Sequence, residues 1–207
     1  MITHYPETPT FSKAEQQSLC RHYLRLLYQD VNLLPAKSHN QIPLTYGEIL
    51  YPGVNKIISC LSLTEHDVFM DLGSGIGKVV AQVFLLTNVK AAYGIEILSS
   101  LHALAANAAD KIYHECPDFF SGGRELNFIR GDFLEMSLEK ATVLLFASPC
   151  FSPAMMAKLE QMLARLPRVH SMITLQPMLE CRSFRLNKII QIECSWDSAQ
   201  CYLYQRC

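Results

Sequence analysis

The apolar positions of this chain predict helices and strands that alternate along most of its length. Short apolar runs are typical of buried strands, and they occur at residues 68–70, 90–96, 126–130, 142–146 and 170–175. Apolar residues at a helical period occupy residues 13–30, 53–63, 76–86 and 153–166. Two final strands, 188–196 and 201–206, are predicted to form a hairpin across residues 197–200. This pattern predicts an α/β fold with a mostly parallel sheet and an antiparallel edge strand.

The chain is predicted to divide near residue 40, where the helical pattern breaks. The first helix has apolar residues at a helical period, namely Leu19, Tyr23, Leu26 and Leu27. Residues 33–43 then contain proline, serine, histidine and asparagine, which interrupt it. We therefore predict a helical N-terminal arm over residues 1–45 and one α/β domain over residues 46–207. The arm is expected either to pack as a supporting helix or to act as a lid that guides a substrate.

A glycine-rich turn follows the first strand and carries the strongest chemical signal. Asp71 stands two positions before the first of three glycines at alternate positions, Gly73, Gly75 and Gly77. A dinucleotide would present a pyrophosphate, which prefers the spacing G-x-G-x-x-G and would be repelled by Asp71. S-adenosylmethionine instead carries an ammonium and a sulfonium, which an acid at the end of a strand attracts. The turn therefore predicts a site for S-adenosylmethionine.

Acidic residues end the next two predicted strands as well. Glu96 closes the second strand about 20 residues beyond the glycines, where nucleoside-binding sheets place a ribose ligand. The third strand leads into Asp132 and Phe133, whose carboxylate and ring are suited to the amino group and the face of an adenine. Ligands of open α/β sheets bind at the carboxyl ends of the strands, so the three acids predict one shared site.

At this point the chain resembles the Dot1-type histone lysine methyltransferases. The resemblance rests on three cofactor motifs: Asp71-Leu-Gly-Ser-Gly-Ile-Gly-Lys-Val-Val80, Tyr93-Gly-Ile-Glu96 and Gly131-Asp-Phe-Leu134. Upstream, Tyr46-Gly-Glu48 is similar to the loop that in that family closes over the methionine end of the cofactor. The resemblance implies a seven-stranded class I methyltransferase fold of Rossmann-like type, an S-adenosylmethionine cofactor and a protein lysine as methyl acceptor.

The resemblance also implies roles for residues at the amino-acid end of the cofactor. Asp71 and Glu48 are expected to hold this part, while Tyr46 belongs to the loop that covers it. Glutamine is usual in the family where this chain has Lys78. At the start of the predicted helix, Lys78 is expected to pair with the methionine carboxylate, or simply to be solvated.

The acceptor loop after the fourth strand departs from the family pattern. Dot1-type enzymes carry Asn-Asn-Phe and a further aromatic there, and this chain has Ala147-Ser-Pro-Cys-Phe151. Phe151 matches the second aromatic, whereas Ser148 replaces the asparagine. In the C-terminal hairpin, Trp196 and Tyr202, or alternatively Tyr204, fall where the family has aromatic residues at the mouth of its lysine channel. The resemblance therefore implies Ser148, Phe151, Trp196 and Tyr202 as acceptor-site residues.

Composition adds limits on partners and compartment. Of the 207 residues, 50% are hydrophobic and 18% are charged, which suits one sizeable core. Eight cysteines include no C-x-x-C pair, and His114 and Cys116, which stand two positions apart, are predicted to be incidental loop residues. We therefore expect no metal site and reduced thiols. No segment of about 18 apolar residues and no signal-like start is present, so we expect a soluble cytoplasmic protein without a membrane segment.

Two alternative functions remain open from the sequence. The run Ser148-Pro-Cys-Phe151 is also similar to the Ser-Pro-Pro-Phe type of loop that grips exocyclic amines of bases or glutamine amides, with one proline missing. The formal net charge is −1 and no run of lysine or arginine occurs, which argues against a nucleic-acid partner and, within the family, against a nucleosomal substrate. The altered loop also fits an inactive cofactor-binding module. We favour a protein lysine as the acceptor.

Overall fold

A computed structural model describes residues 12–29, 47–147, 151–178 and 182–207. Within these ranges the helices are α1 (Lys13–Tyr28), α2 (Tyr51–Cys60), α3 (Lys78–Leu86), α4 (Ser99–Glu115), a 3₁₀ segment (Pro117–Gly123) and α5 (Pro153–Leu163). The strands are β1 (Val68–Leu72), β2 (Ala91–Glu96), β3 (Glu125–Arg130), β4 (Val143–Phe146), β5 (Ser171–Thr174), β6 (Phe184–Glu193) and β7 (Ser198–Arg206). None of the helices in these ranges is long and apolar enough to cross a membrane.

The strands form one seven-stranded sheet in the order β3-β2-β1-β4-β5-β7-β6. The first five run parallel, and β7 is antiparallel to both of its neighbours. The predicted mostly parallel sheet with an antiparallel hairpin is confirmed. The expectation that the antiparallel strand lies at the edge is wrong, because β7 pairs with β5 and leaves β6 outside. A hairpin pattern does not specify which of its two strands joins the sheet.

Helices cover both faces of the central strands. Strands β1, β2 and β4 are buried at every position, as expected for parallel strands enclosed on two sides. On one face, Val80 and Phe84 of α3 pack over Ala92 of β2. On the other face, Leu159 of α5 packs in a second cluster with Leu144 of β4. Helix burial on both sides leaves the strand ends as the accessible part of the central sheet.

The structure corrects several predicted element boundaries and adds one helix. Helix α3 begins at Lys78, two residues late, because Gly77 adopts a left-handed conformation with φ 86°. The hairpin turns at residues 194–197, and β6 begins at residue 184, earlier than predicted. Helix α4 was not predicted, and His114 lies in its last turn, so it is not a loop residue.

The arm helix buries the predicted stripe in part, since three of its four residues are half-buried and one is exposed. Leu26 is 43% exposed, whereas Cys20 and Tyr28 are buried. A capping box begins the helix, because the side-chain oxygens of Ser12 and Glu15 each accept a hydrogen bond from the other residue's backbone N–H. Helix α1 contacts α3 and α4, so within residues 12–29 the arm packs on the helical face of the domain.

Candidate active site

The glycine turn between β1 and α3 has a conformation that only glycines adopt readily. Gly73, Gly75 and Gly77 have φ angles of 90°, 56° and 86°. The N–H groups of Gly73 and Ser74 donate to the carbonyl of Ile95, at 2.8 and 3.0 Å, which ties the turn to β2. A Cβ at Gly73 would meet nothing within 4 Å, so a ligand can approach the backbone there, whereas a Cβ at Gly77 would clash with the Phe128 ring.

Two carboxylates lie together at the carboxyl ends of β1 and β2. Glu96 is locked in place, because its Oε2 accepts from the Gly75 N–H and its Oε1 from the Leu98 N–H, each at 2.8 Å. Asp71 is 3% exposed, and its burial, together with the negative charge of Glu96, raises its pKa to about 8. No ion pair within the described ranges compensates either acid. A cationic ligand would stabilise the charged form of Asp71.

Glu48 reaches the same region from a segment that is fastened to the C-terminal hairpin. The Glu48 N–H donates to Ser195 Oγ at 3.0 Å, and the Ser195 N–H donates back to the Glu48 carbonyl at 2.8 Å. The neighbouring Ile49 forms an antiparallel bridge with Cys194. The Glu48 carboxylate accepts from Lys78 Nζ at 2.7 Å. Glu48 therefore links the start of α3 to the turn of the C-terminal hairpin.

Phe133 and Asp132 follow β3, as the strand pattern predicts. The Gly131 N–H donates to the Glu96 carbonyl at 3.0 Å, and Asp132 Oδ1 accepts from the Leu134 N–H at 2.9 Å. The Phe133 ring is 9% exposed and lies with its centroid 5.8 Å from that of Phe151. The adenine candidate residues are thus next to one of the acceptor candidates.

The predicted acceptor aromatics occupy two places. Phe151 and Tyr202 border the same apolar cluster as Phe133, and Tyr202 pairs with Thr174 at the end of β5. Trp196 is 45% exposed and covers Gly47, where a Cβ would lie 2.3 Å from the indole. Trp196 therefore stands beside the Glu48 segment. Two further candidates, Tyr46 and Ser148, lie outside the described residues.

Tyr204, the alternative to Tyr202, has a structural role. It is 7% exposed, and its hydroxyl accepts from the Met178 N–H at 2.8 Å. The Tyr202 hydroxyl donates instead to Gln200 Oε1 at 2.7 Å, near the exposed end of the hairpin. The geometry favours Tyr202 over Tyr204 as the residue available to a substrate.

Comparison with known proteins assigns the chain to a family. The family described as "Histone methylation protein DOT1" matches residues 23–193. The chain belongs to the DOT1 family. A Drosophila melanogaster protein named "Histone-lysine N-methyltransferase, H3 lysine-79 specific" is 31% identical over 164 residues, which are 75% of this chain and 9% of that protein. A Caenorhabditis elegans protein of the same name is 31% identical over 56% of this chain and 13% of its own length. The chain thus spans only a small part of these DOT1 relatives.

Solved structures with low sequence identity share the fold of this DOT1 chain. An RNA methyltransferase from Salinibacter ruber, in complex with S-adenosyl-L-homocysteine, has a TM-score of 0.55 and 19% identity, covering 77% of this chain and 93% of that one. The m1A22 tRNA methyltransferase TrmK from B. subtilis has a TM-score of 0.58 and 15% identity, covering 76% and 67%. The predicted class I methyltransferase fold is confirmed.

Three residues of the candidate site are not predicted from the sequence. Tyr28 of α1 packs against Ile76 of the glycine turn, and its ring lies 5.3 Å from Lys78 Nζ. Ser195 holds the Glu48 segment, and Ser74 has a buried hydroxyl for which the described residues offer no partner. Ser74 could have been singled out from its place inside the glycine motif. Tyr28 and Ser195 carry no local signal, because their positions depend on contacts between distant segments.

Proposed function

We propose that this DOT1-family chain is an S-adenosylmethionine-dependent methyltransferase whose acceptor is a lysine side chain of a protein. The observation that carries the proposal is the buried acid pair Asp71 and Glu96 beside a turn of left-handed glycines. A buried carboxylate without a cation is costly, and a ligand with two positive groups relieves that cost on binding. Membership of the DOT1 family supports the acceptor class.

The proposed placement of the cofactor follows from the chemistry of each side chain. Asp71 and Glu48 would hold the amino-acid end, where the ligand carries its ammonium. Glu96 would accept from the two ribose hydroxyls, because its oxygens are already oriented by backbone donors. Asp132 would accept from the adenine amino group, with the Phe133 ring against the base.

In the proposed reaction the bound cofactor would supply the carbon of a methyl group that is bonded to its sulfonium sulfur. The residues of the chain have two tasks, which are to align the attacking nitrogen with that carbon and to exclude water. Phe151 and Tyr202 border one apolar cluster beside Phe133, which supports a hydrocarbon-lined approach. Such surroundings disfavour the charged form of a lysine and lower its pKa, so the acceptor arrives with a lone pair. Trp196 and Ser148 would complete this approach.

The experiment is transfer of a tritiated methyl group from labelled S-adenosylmethionine into a whole-cell lysate. We expect the label to enter protein, to be released by protease and to appear as methyllysine after acid hydrolysis. Glu96→Ala, which we expect to bind the cofactor more weakly, serves as the control with reduced transfer. Label released by nuclease would identify a base amine as the acceptor, and label found on glutamine would identify an amide. Either result would contradict a lysine acceptor. Cofactor binding without any transfer would identify an inactive binding module.

A further inference from the structure

The segment that carries Glu48 is joined to the C-terminal hairpin by a short antiparallel ladder. The Ser195 N–H donates to the Glu48 carbonyl at 2.8 Å, and the Leu50 N–H donates to the Glu193 carbonyl at 2.9 Å. The bridge described above lies between these two bonds. Because β7 occupies the other side of β6, the segment extends the outer edge of the sheet. The position of Glu48 is therefore set by the end of the hairpin.

One further bond of this ladder comes from a side chain. Ser195 Oγ accepts from the Glu48 N–H at 3.0 Å, so both backbone polar groups of Glu48 are held by one residue. The Glu48 carboxylate accepts from Lys78 Nζ at 2.7 Å, beside the glycine turn. A hydroxyl in the hairpin turn therefore restrains the backbone from which the proposed cofactor acid extends.

The next residue of the hairpin turn contacts the same segment through its side chain. The Trp196 indole covers Gly47, where a Cβ would lie 2.3 Å from an indole carbon. The φ angle of Gly47 lies outside the left-handed region, so the space taken by the indole, and not backbone strain, requires glycine at this position. Consecutive residues, Ser195 and Trp196, thus hold consecutive residues, Glu48 and Gly47.

We propose that Ser195 and Gly47 are positioning residues that couple Glu48 to Trp196, so that binding of the cofactor fixes the indole at the mouth of the acceptor approach. The inference rests on the proposed function, because it takes Glu48 as a ligand of the cofactor and Trp196 as an acceptor-site residue. Coupling between two sites is reciprocal, so an acceptor bound against Trp196 strengthens cofactor binding by the same factor.

The coupling is tested through the fluorescence of Trp196, which is the single tryptophan of the chain. The full chain is titrated with S-adenosylhomocysteine, and binding is measured both by calorimetry and by acrylamide quenching of the indole. We expect the ligand to reduce quenching of this 45% exposed side chain, with the dissociation constant that calorimetry gives. In Gly47→Ala the added methyl group displaces the indole, so the ligand-dependent decrease in quenching should be lost. Quenching that is unchanged by saturating ligand in the wild type overturns the coupling, and a decrease retained in Gly47→Ala overturns the role of Gly47.

The role of Ser195 is tested by a double-mutant cycle with Glu48. We expect Ser195→Ala to weaken ligand binding by about threefold, as for the loss of one neutral hydrogen bond. Because the hydroxyl acts through Glu48, Ser195→Ala should have no further effect when Glu48→Gln is already present. Ser195→Thr keeps a hydroxyl and should restore most of the affinity. Unchanged affinity in Ser195→Ala, or an equal loss with and without Glu48→Gln, overturns the positioning role.

Ser198 provides a matched control in the same hairpin. Its hydroxyl accepts from Gln191 Nε2 at 2.7 Å, away from the Glu48 segment, so Ser198→Ala should keep the wild-type affinity and quenching. Thermal unfolding of each variant checks its folding. If the wild-type protein does not bind S-adenosylhomocysteine at millimolar concentration, the proposed function itself fails. If it binds the ligand while the quenching of Trp196 stays unchanged, the coupling fails and the proposed function stands.

Discussion

Asp71 is enclosed at the end of β1, where burial and the nearby Glu96 raise its pKa from an ordinary 3.8 to about 8. An acid whose pKa rises on folding costs the folded state stability above its unfolded pKa, and the cost grows as the pH rises toward the folded value. Asp71 therefore lowers the stability of the folded protein. A destabilising buried acid is expected where the side chain binds a ligand.

We predict that Asp71→Asn stabilises the free protein at pH 8 but weakens S-adenosylmethionine binding by about tenfold or more, through loss of a charge-assisted contact. The wild-type affinity should increase as the pH rises toward 8. At that pH more of the free protein already has an ionised Asp71, so binding of the cation no longer has to be accompanied by release of a proton. Asp71→Asn should lack this dependence. Thermal unfolding and calorimetric titration between pH 6 and 8.5 measure both effects. Full affinity in the variant would show that the carboxylate does not face the ligand.

Glu96 combines its proposed ligand role with a structural one, so we expect its truncation to have two consequences. We predict that Glu96→Ala weakens cofactor binding by about 1–3 kcal/mol, because charge-assisted hydrogen bonds to the ribose are lost. The backbone N–H groups of Gly75 and Leu98 also lose their acceptor. Glu96→Gln retains one acceptor oxygen and should bind with intermediate affinity. Calorimetry on the three proteins tests this order, and equal affinities would exclude a ribose contact.

The residues of the site differ in how far the sequence determines them. Asp71 and Glu96 can be predicted, because each ends an apolar run and the ends of parallel strands meet at one edge. Tyr28 cannot, since the register of an amphipathic helix does not reveal which distant side chain it will meet. The contact of Trp196 with Gly47 is equally non-local, as it depends on the docking of a hairpin turn against a segment about 150 residues away in the chain.

At the scale of the elements, a polar cluster joins three strands at the end of the sheet opposite to the site. Asp67, before β1, accepts through Oδ1 from Thr142 Oγ1 at 2.7 Å and pairs with His170 Nε2 at 2.8 Å. Its Oδ2 accepts from the N–H and hydroxyl of Thr64. Burial acts to raise the pKa of Asp67, but the hydrogen bonds from His170, Thr142 and Thr64 outweigh it and lower the pKa. The carboxylate therefore stabilises the fold when ionised.

We predict that Asp67→Asn destabilises the protein by about 1–3 kcal/mol at neutral pH. A lowered folded pKa gives stability that is present above the unfolded pKa of 3.8 and is lost as the pH falls through the folded value. The difference in stability between the wild type and Asp67→Asn should therefore shrink below pH 4. Urea unfolding at pH 3, 4, 5 and 7 measures it. A difference that stays constant across this series would contradict the assigned role of the charge.

The strand ends also show why boundaries were harder to predict than the elements themselves. Strands β1 to β5 lie within one or two residues of the predicted runs, since β1, β2 and β4 are buried at every position and β3 alternates between buried and exposed positions. The polar start of β7 at residues 198–200 was assigned to a turn, because polar residues are typical of turns. In the structure this part of the hairpin projects beyond β5 and is exposed on its surface, so polar residues are tolerated within the strand.

At the scale of the whole molecule, the order of elements determines the fold class, and the acceptor loop determines the reaction. Alternating strands and helices leave few topologies, and the glycine turn identifies the carboxyl edge as the site. The acceptor is less predictable, because Ser148 departs from the family and lies outside the described residues. A kinetic property of the purified chain is therefore needed to separate a lysine acceptor from an amide or a base.

The pH dependence of the methyl-transfer rate provides that property. A lysine acceptor must lose a proton before its lone pair can attack, so we predict that the rate at saturating cofactor climbs above pH 7 until the lowered pKa of the lysine is passed. An exocyclic base amine or an amide is neutral throughout this range, and its rate would be nearly flat. Saturating cofactor is required because we expect ionisation of Asp71 to strengthen cofactor binding as the pH rises toward 8. Trp196→Ala should slow lysine transfer more than Tyr202→Phe, since a lysine channel depends on apolar surface more than on one hydroxyl. A flat profile from pH 6.5 to 9.5 would exclude lysine as the acceptor.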